Sequence, residues 1–153
     1  MTNPATGDTT GTDSPTLTGK WALITGAARR VGAEIATTLH AQGAGVAIHY
    51  RGSADQALTL VRQLNDRRPD SALAVQADLV QTSQLGALIE TVTARSGRLD
   101  ILINNASSFY PTPLATVTES QWADLIGTIL MASLFLAQAA LPHLKASRGF
   151  IIH

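Results

Sequence analysis

Two glycines close together near the amino terminus, with two arginines between them, could frame a phosphate-binding turn. They are Gly26, Arg29, Arg30 and Gly32 in the stretch LITGAARRVG, which begins inside the apolar run WALIT. Gly26 permits a tight turn, Gly32 permits close packing of helix on strand, and backbone N–H groups at a helix start face an anion. Arg30 adds a positive charge. Short glycine patterns also occur in ordinary strand-to-helix turns. At this point the stretch is therefore either a nucleotide site or a plain turn.

A second group of polar residues follows the next apolar run. The chain reads HYRGS there, with His49, Arg51 and Ser53. An NAD-binding protein usually carries an acid at this position to accept from the adenosine ribose hydroxyl. Arg51 can instead bind a 2′-phosphate, with His49 and Ser53 adding hydrogen bonds, and this interpretation predicts NADP(H) as the cofactor. The alternative is a solvated strand end without a ligand.

These residues need a scaffold of strands and helices to bring them together. The apolar runs WALIT, GVAIHY, ALAVQA and DILIN are typical of buried parallel strands, and GFIIH predicts a fifth. Amphipathic stretches of helical length lie between the first four, near residues 29–42, 53–67 and 82–96. This alternation predicts an α/β fold, a Rossmann-like doubly wound parallel sheet of five strands in the order 3-2-1-4-5 with helices on both faces.

A long apolar helix is predicted from about Glu119. Thr118 is its expected N-cap, Gln121 stands in capping-box spacing, and Pro142 marks its expected end. The 17 residues from Leu125 to Leu141 carry no charge, which raises a membrane-spanning alternative. This segment contains Gly, Thr, Ser and Gln and is short for a span, and a helix buried between the sheet and a neighbouring subunit would look equally apolar.

Length and composition limit the remaining possibilities. With 153 residues and 45% apolar content, the chain is the size of one domain, expected at 19–153 after a disordered N-terminal tail at 1–18. Eleven basic and eleven acidic residues cancel, which argues against nucleic acid or a membrane as partner and for a small molecule. Cysteine is absent, the histidines fit no metal motif, and the first residues lack a secretory signal's apolar core, so we expect a cytoplasmic protein.

Further motifs give the chain a family resemblance. With QADL after the third run and NNASSFYPTPL after the fourth, the sequence resembles the short-chain dehydrogenase/reductase superfamily and looks most like the pteridine reductases. The family loop TGxxxGxG corresponds to Thr25, Gly26 and Gly32, with Arg30 at the middle glycine, where pteridine reductases characteristically carry arginine. The resemblance covers residues 20–153.

The resemblance implies roles for residues after the third and fourth strands. Asp78 would hydrogen-bond the adenine amino group beside the backbone of Leu79, and Ser107 would contact both cofactor and pterin. Phe109 would stack on the pterin ring opposite the nicotinamide. The expected substrate-binding residues are Arg30, Ser107 and Phe109. The expected cofactor-binding residues are Gly26, Arg30, Val31, Gly32, His49, Tyr50, Arg51, Ser53, Asp78, Leu79, Asn105, Ala106 and Ser107.

Two departures from the family pattern leave the catalytic residues unassigned. The superfamily's proton chemistry rests on a Tyr followed four residues later by Lys, and this chain has no such pair, which we expect downstream of His153. In addition, Ile129 in GTILMAS stands where the resemblance places a catalytic asparagine. A hydrocarbon side chain can neither donate nor accept a hydrogen bond.

The resemblance implies an NADPH-dependent reductase that passes hydride to a C=N bond of a pterin, and a homo-oligomer when full length. Two alternatives stay open. The chain could be a truncated or decayed product that retains at most cofactor binding, or an assembly partner whose apolar helix packs on another subunit.

Overall fold

Five short strands form one parallel sheet in the computed structural model, which describes residues 16–153. The strands are β1 (Trp21–Ile24), β2 (Gly45–Tyr50), β3 (Ala72–Gln76), β4 (Ile101–Ile103) and β5 (Phe150–Ile152). Their order is β3-β2-β1-β4-β5, which confirms the predicted topology. Strands β2 and β3 lie on one side of β1, and β4 and β5 lie on the other. At this change of side a crevice opens at the carboxyl ends of the central strands, where doubly wound folds bind their ligands.

Helices cover both faces of the sheet, as the apolar strands require. They are α1 (Arg30–Ala41), α2 (Ala54–Arg67), α3 (Leu85–Ser96), α4 (Glu119–Ile126) and α5 (Ala132–Ser147), with a short 3-10 turn before α3. One face buries α1 and α2 against Ile24 and Ile48. The other buries α3 and α5 against Leu23 and Leu102. Both apolar layers hold the strand ends in fixed register, so the loops that follow them are well positioned.

The long helix after Thr118 begins as predicted but is not continuous. The Thr118 hydroxyl accepts from the Gln121 N–H at 3.3 Å, and the Gln121 side chain accepts from the Thr118 N–H at 2.9 Å, which confirms the capping box. A π-helical turn, Gly127–Met131, then separates α4 from α5. Such turns insert one extra residue per turn and are frequent at functional sites.

The prediction that Pro142 ends this helix is wrong. Helix α5 continues through Pro142 to Ser147, because Ala140 and Leu144 on either side of it are buried in the core. The free energy of that packing offsets the lost backbone hydrogen bond. The helix ends where Arg148 adopts a left-handed conformation and the Gly149 N–H donates to the Leu144 carbonyl at 2.7 Å.

By length and composition, the helical stretch Glu119–Ser147 could cross a membrane. Part of its apolar character has another explanation, however. Ala132, Leu136, Ala140 and Leu144 form a buried row against the sheet and α3. Several of its other large apolar side chains are exposed, among them Leu130 and Leu134.

The predicted tail falls mostly outside the described residues. Leu17, which the sequence placed inside the tail, packs against the α1 and α2 face of the core. Its N–H donates to the Gln42 carbonyl at 2.9 Å. Leu17 therefore contacts the folded domain, and the boundary of the tail stays a prediction.

Candidate functional site

A cavity of about 680 Å³ opens beyond the carboxyl ends of the central strands. Its walls are the turn after β1 and the segments after β2, β3 and β4, with one residue from the π-helical turn. All thirteen residues expected to bind a cofactor line it: Gly26, Arg30, Val31, Gly32, His49, Tyr50, Arg51, Ser53, Asp78, Leu79, Asn105, Ala106 and Ser107. Their contact with a bound cofactor stays a prediction.

Both glycines of the turn after β1 occupy places where a side chain would collide with the backbone or with Asn105. A Cβ on Gly26 would lie 3.0 Å from the Cα of Ala106, and Gly26 also has a φ of +63°. A Cβ on Gly32 would lie 2.6 Å from the Asn105 amide nitrogen and 2.6 Å from the Gly26 carbonyl oxygen. The turn therefore packs against the end of β4 only because these two residues are glycine.

Arg30 stands at the family's middle glycine and keeps a glycine-like backbone, with a φ of +55°. This conformation costs a residue with a side chain about 1–2 kcal/mol. Neither Arg29 nor Arg30 forms an ion pair with any residue from 16 to 153. The N–H groups of the first turn of α1, from Arg30 to Gly32, lack partners within the helix. The arginine side chains and the free backbone N–H groups therefore lie on the same wall of the cavity.

Thr25 and Asn105 join the turn to the end of β4. The Thr25 hydroxyl accepts from the N–H groups of Asn105 at 3.0 Å and Ala106 at 2.9 Å, and it donates to the Ile103 carbonyl at 3.3 Å. The Asn105 amide donates to the Thr25 carbonyl at 2.9 Å. Asn105 therefore helps to build the cavity wall besides lining it.

His49 is held by two backbone groups of the protein. The Gly26 N–H donates to its Nδ1 at 3.1 Å, and its Nε2 lies 3.1 Å from the Ala77 carbonyl oxygen. Burial lowers the pKa of His49 below its ordinary value, while the Ala77 carbonyl and the Asp78 charge act in the opposite direction. Both ring nitrogens therefore have partners within the protein, and the hydrogen bond from His49 to a 2′-phosphate stays a prediction.

Arg51 and Ser53 are better placed to receive an anion. The Arg51 guanidinium is exposed and lies 3.5 Å from the Asp124 carboxylate of α4. An exposed pair of this kind contributes about 0–1 kcal/mol, so Arg51 can exchange Asp124 for a phosphate at little cost. Ser53 precedes α2, and its hydroxyl does not cap that helix.

Asp78, which follows β3, keeps an acceptor available to the cavity. One of its carboxylate oxygens accepts from the Val80 N–H at 3.2 Å, which fixes the side chain. Its other oxygen accepts no hydrogen bond from the residues that the structure describes. An adenine amino group is a donor that such an oxygen could accept from.

Sequence reasoning missed five residues that line the cavity, namely Ala28, Arg29, Gly52, Ser108 and Thr128. The paired charge in ARRVG could have indicated Arg29. Thr128 is buried on the π-helical turn, and its hydroxyl lies 3.3 Å from that of Ser108. No local pattern places a residue so distant in sequence beside the end of β4.

Two predicted residues lie outside the cavity lining. Phe109 is 93% exposed, and Ile129 is 51% exposed on the π-helical turn. The structure therefore brings Arg30 and Ser107 together but does not place Phe109 with them in the cavity. Thr128, the residue before Ile129, lines the cavity instead.

Tyr110 lacks the environment of a ready proton donor. Its hydroxyl lies 3.2 Å from both the Gln121 carbonyl oxygen and the Asp124 carboxylate. Partial burial and the Asp124 carboxylate raise the pKa of Tyr110. A tyrosine that serves as a general acid near neutral pH needs the opposite shift.

The donor set fits an adenine dinucleotide. Arg29, Arg30 and Arg51 are the cations of the lining, and Asp78 is its one acidic residue. The guanidinium groups and the first turn of α1 suit phosphate oxygens, and Asp78 suits an adenine amino group. Gly26 and Gly32 let the backbone approach a ligand closely.

Comparison with known proteins agrees with this architecture. The family model for short chain dehydrogenases matches residues 20–153. Pteridine reductase 1 of Leishmania tarentolae is 40% identical over 154 residues, covering 86% of this chain and 53% of that protein. A 3-oxoacyl-(acyl-carrier-protein) reductase of Staphylococcus aureus is 36% identical over 135 residues, covering 88% of this chain and 54% of that protein. The chain thus spans about half the length of the curated relatives it matches. With a family match across its whole folded domain, the chain belongs to the short-chain dehydrogenase/reductase family of oxidoreductases.

Proposed function

We propose that this chain provides the NADP(H)-binding half of an NADPH-dependent reductase. The observation that carries the proposal is Arg51, an exposed guanidinium at the end of β2, where an NAD-specific site would hold an acid. Arg51 would bind the 2′-phosphate together with Ser53. The first turn of α1 and Arg30 would bind the pyrophosphate, and Asp78 would accept from the adenine amino group.

When bound, the reduced nicotinamide supplies the hydride. Residues of this chain would hold it and orient the acceptor, since much of the rate of such reactions comes from fixing two reactants in line. We propose a pterin as acceptor. Support comes from Arg30 at the middle glycine, from the run NNASSFYPTPL, and from the likeness to a protein named pteridine reductase. Arg30 and Ser107 would contact the pterin, and Phe109, which lies outside the cavity lining, would have to turn toward it to stack on the ring.

A second candidate function is cofactor binding without catalysis. It is favoured by the absence of any Tyr-x-x-x-Lys pair from the sequence and by Ile129 at the expected asparagine. With NADPH and dihydrobiopterin, we expect the purified chain to show no turnover. Measurable turnover would contradict the claim that its proton donor is missing, and reduction of a 3-oxoacyl thioester instead would contradict the pterin assignment.

The cofactor proposal is tested by fluorescence titration with NADPH and NADH. Charge-assisted hydrogen bonds to a phosphate contribute about 1.5–3 kcal/mol, so we expect Arg51→Ala to weaken NADPH binding roughly ten-fold or more and to leave NADH binding nearly unchanged. Arg62→Ala is the matched control, because Arg62 is exposed on α2 and, among residues 16–153, its side chain bonds only Thr59. Equal affinity of the native chain for both dinucleotides would reject the assignment of Arg51.

A further inference from the structure

We infer that His49 is a positioning residue that fastens the phosphate-binding turn to the strand end bearing Asp78. This inference rests on the proposed cofactor site and deepens it. Among residues 16–153, only His49 uses both nitrogens of one ring to connect the turn after β1 with the end of β3. At 2% exposure it is almost entirely buried, so water competes little for those bonds.

Three contacts make up what we call the His49 clamp. The Gly26 N–H donates to Nδ1 of the ring at 3.1 Å, and the next N–H along the turn, that of Ala27, donates to the main-chain carbonyl of His49 at 2.9 Å. On the other side of the ring, Nε2 donates to the Ala77 carbonyl at 3.1 Å. Ala77 immediately precedes Asp78, so one imidazole spans both walls.

The partners fix the state of the ring. A backbone N–H can only donate and a carbonyl can only accept, so Nδ1 must be unprotonated and Nε2 must carry the hydrogen. The clamp therefore requires the neutral imidazole in this single tautomer. Few side chains offer an acceptor and a donor at these two places at once, and no apolar side chain offers either.

The clamp also decides which backbone groups remain for an anion. Because His49 occupies the N–H groups of Gly26 and Ala27, the pyrophosphate would be met by those of Arg30, Val31 and Gly32 at the start of α1. The direction of these donors depends on the path of the turn, which the clamp holds. We therefore expect His49 to act on the part of the site that NADPH and NADH share, whereas Arg51 acts on the 2′-phosphate alone.

Three substitutions test the two side-chain hydrogen bonds of the clamp, which we call its arms: Gly26 N–H to Nδ1 and Nε2 to the Ala77 carbonyl. His49→Phe removes both arms and keeps a ring. His49→Asn places an amide near the position of Nδ1 and preserves the acceptor for Gly26, while His49→Gln places one near Nε2 and preserves only the bond to Ala77. The matched control is His40→Phe, because His40 is also buried but bonds Ser71 at the opposite edge of the sheet.

Two measurements are made on each variant, hydrogen exchange of the Gly26 amide by NMR and titration with NADPH and NADH. We expect His49→Phe and His49→Gln to lose protection of the Gly26 amide and to bind both dinucleotides about ten-fold more weakly or worse. His49→Asn should keep most of both properties. His40→Phe should lower the melting temperature while leaving Gly26 exchange and both affinities unchanged.

The outcomes that overturn the inference differ from those that overturn the proposed function. Native exchange of the Gly26 amide in His49→Phe would show that no clamp exists. Native affinity in His49→Phe, or loss of NADPH binding alone, would show that the clamp does not position the shared part of the cofactor. If the native chain binds neither dinucleotide, the proposed function fails and the positioning role fails with it, whereas Gly26 exchange still decides whether the clamp exists.

Discussion

At the scale of single residues, Gly32 is held between the turn and the end of β4. Replacement by alanine would place a methyl group 2.6 Å from both the Asn105 amide nitrogen and the Gly26 carbonyl oxygen. Overpacking of this kind costs about 1–3 kcal/mol, so we expect Gly32→Ala to lower the free energy of unfolding by about that amount and to weaken NADPH binding. Urea denaturation and cofactor titration measure the two effects.

Gly86→Ala is the matched control for this substitution. Gly86 lies in the first turn of α3, and a Cβ there would meet no atom within 4 Å. Alanine is the better helix former, so Gly86→Ala should leave stability unchanged or raise it by up to about 1 kcal/mol. Equal effects of the two substitutions would contradict the steric account of Gly32.

The buried histidines make a second prediction at this scale. Burial lowers the pKa of both His40 and His49, and the charges of Arg68 and Arg67 lower that of His40 further. The unfolded chain therefore takes up protons at a higher pH than the folded chain. Their contribution to stability is complete above about pH 6.5 and is lost as the pH falls through the lowered folded values, with a slope of up to about 1.4 kcal/mol per pH unit for each histidine.

Urea denaturation between pH 7.5 and 5 measures this effect. The free energy of unfolding should fall with pH in the native chain and fall less steeply in His40→Asn. A flat profile would mean that neither histidine is held neutral.

Single residues also show which site features could be predicted from the sequence and which could not. Arg30 and Arg51 could be predicted as anion ligands because charge beside a strand end is a local property. The role of His49 could not, because its partners are backbone groups 23 and 28 residues away, and only the packing of β2 between β1 and β3 brings them to the ring.

At the scale of elements, the start of α4 is connected to the loop after β4. Thr118 and Gln121 form the capping box, and Tyr110 of the loop contacts the Gln121 carbonyl and Asp124. Loss of an N-cap side chain costs about 1 kcal/mol. We therefore expect Thr118→Ala to destabilise α4 by that amount and to raise amide exchange in both α4 and the loop.

Thr91→Ala in α3 is the control for Thr118→Ala. The Thr91 hydroxyl bonds back to the Ala87 carbonyl within the helix, which gives no capping. Alanine has the higher helix propensity, so this variant should be as stable as the native chain or slightly more stable. Faster exchange confined to α4, with an unchanged loop, would contradict the proposed connection.

The same elements show what local patterns determine. The capping box was predictable because its two residues lie three positions apart. The π-helical turn and the passage of α5 through Pro142 were not, since both depend on how the helix packs against the sheet and α3. The expectation that proline ends a helix holds for an isolated helix. Here the packing of the buried residues Ala140 and Leu144 stabilises the helix by more than Pro142 destabilises it.

At the scale of the whole molecule, the π-helical turn and the start of α5 expose an apolar surface. Leu130 is 65% exposed and Leu134 is 64% exposed, one helical turn apart. An apolar surface of this kind favours association, and we expect the chain to self-associate through it. Leu130→Glu combined with Leu134→Glu should raise the dissociation constant at least about ten-fold by sedimentation velocity.

Leu58→Glu is the control, because Leu58 is an exposed leucine on α2, away from that surface. It should sediment like the native chain. If the double variant also sediments like the native chain at every concentration, the apolar surface is not the site of association.

By itself, the sequence determined the order of strands and helices, the parallel sheet, the glycine turn and the charges around it. These features follow from hydrophobic periodicity and from turn and cap chemistry, which act over a few neighbouring residues. Only the tertiary structure decided that His49 faces the turn and Ala77, that Thr128 reaches the cavity, and that Phe109 does not. Each of those outcomes depends on how distant segments pack against one another, and no pattern within a short stretch of chain encodes that geometry.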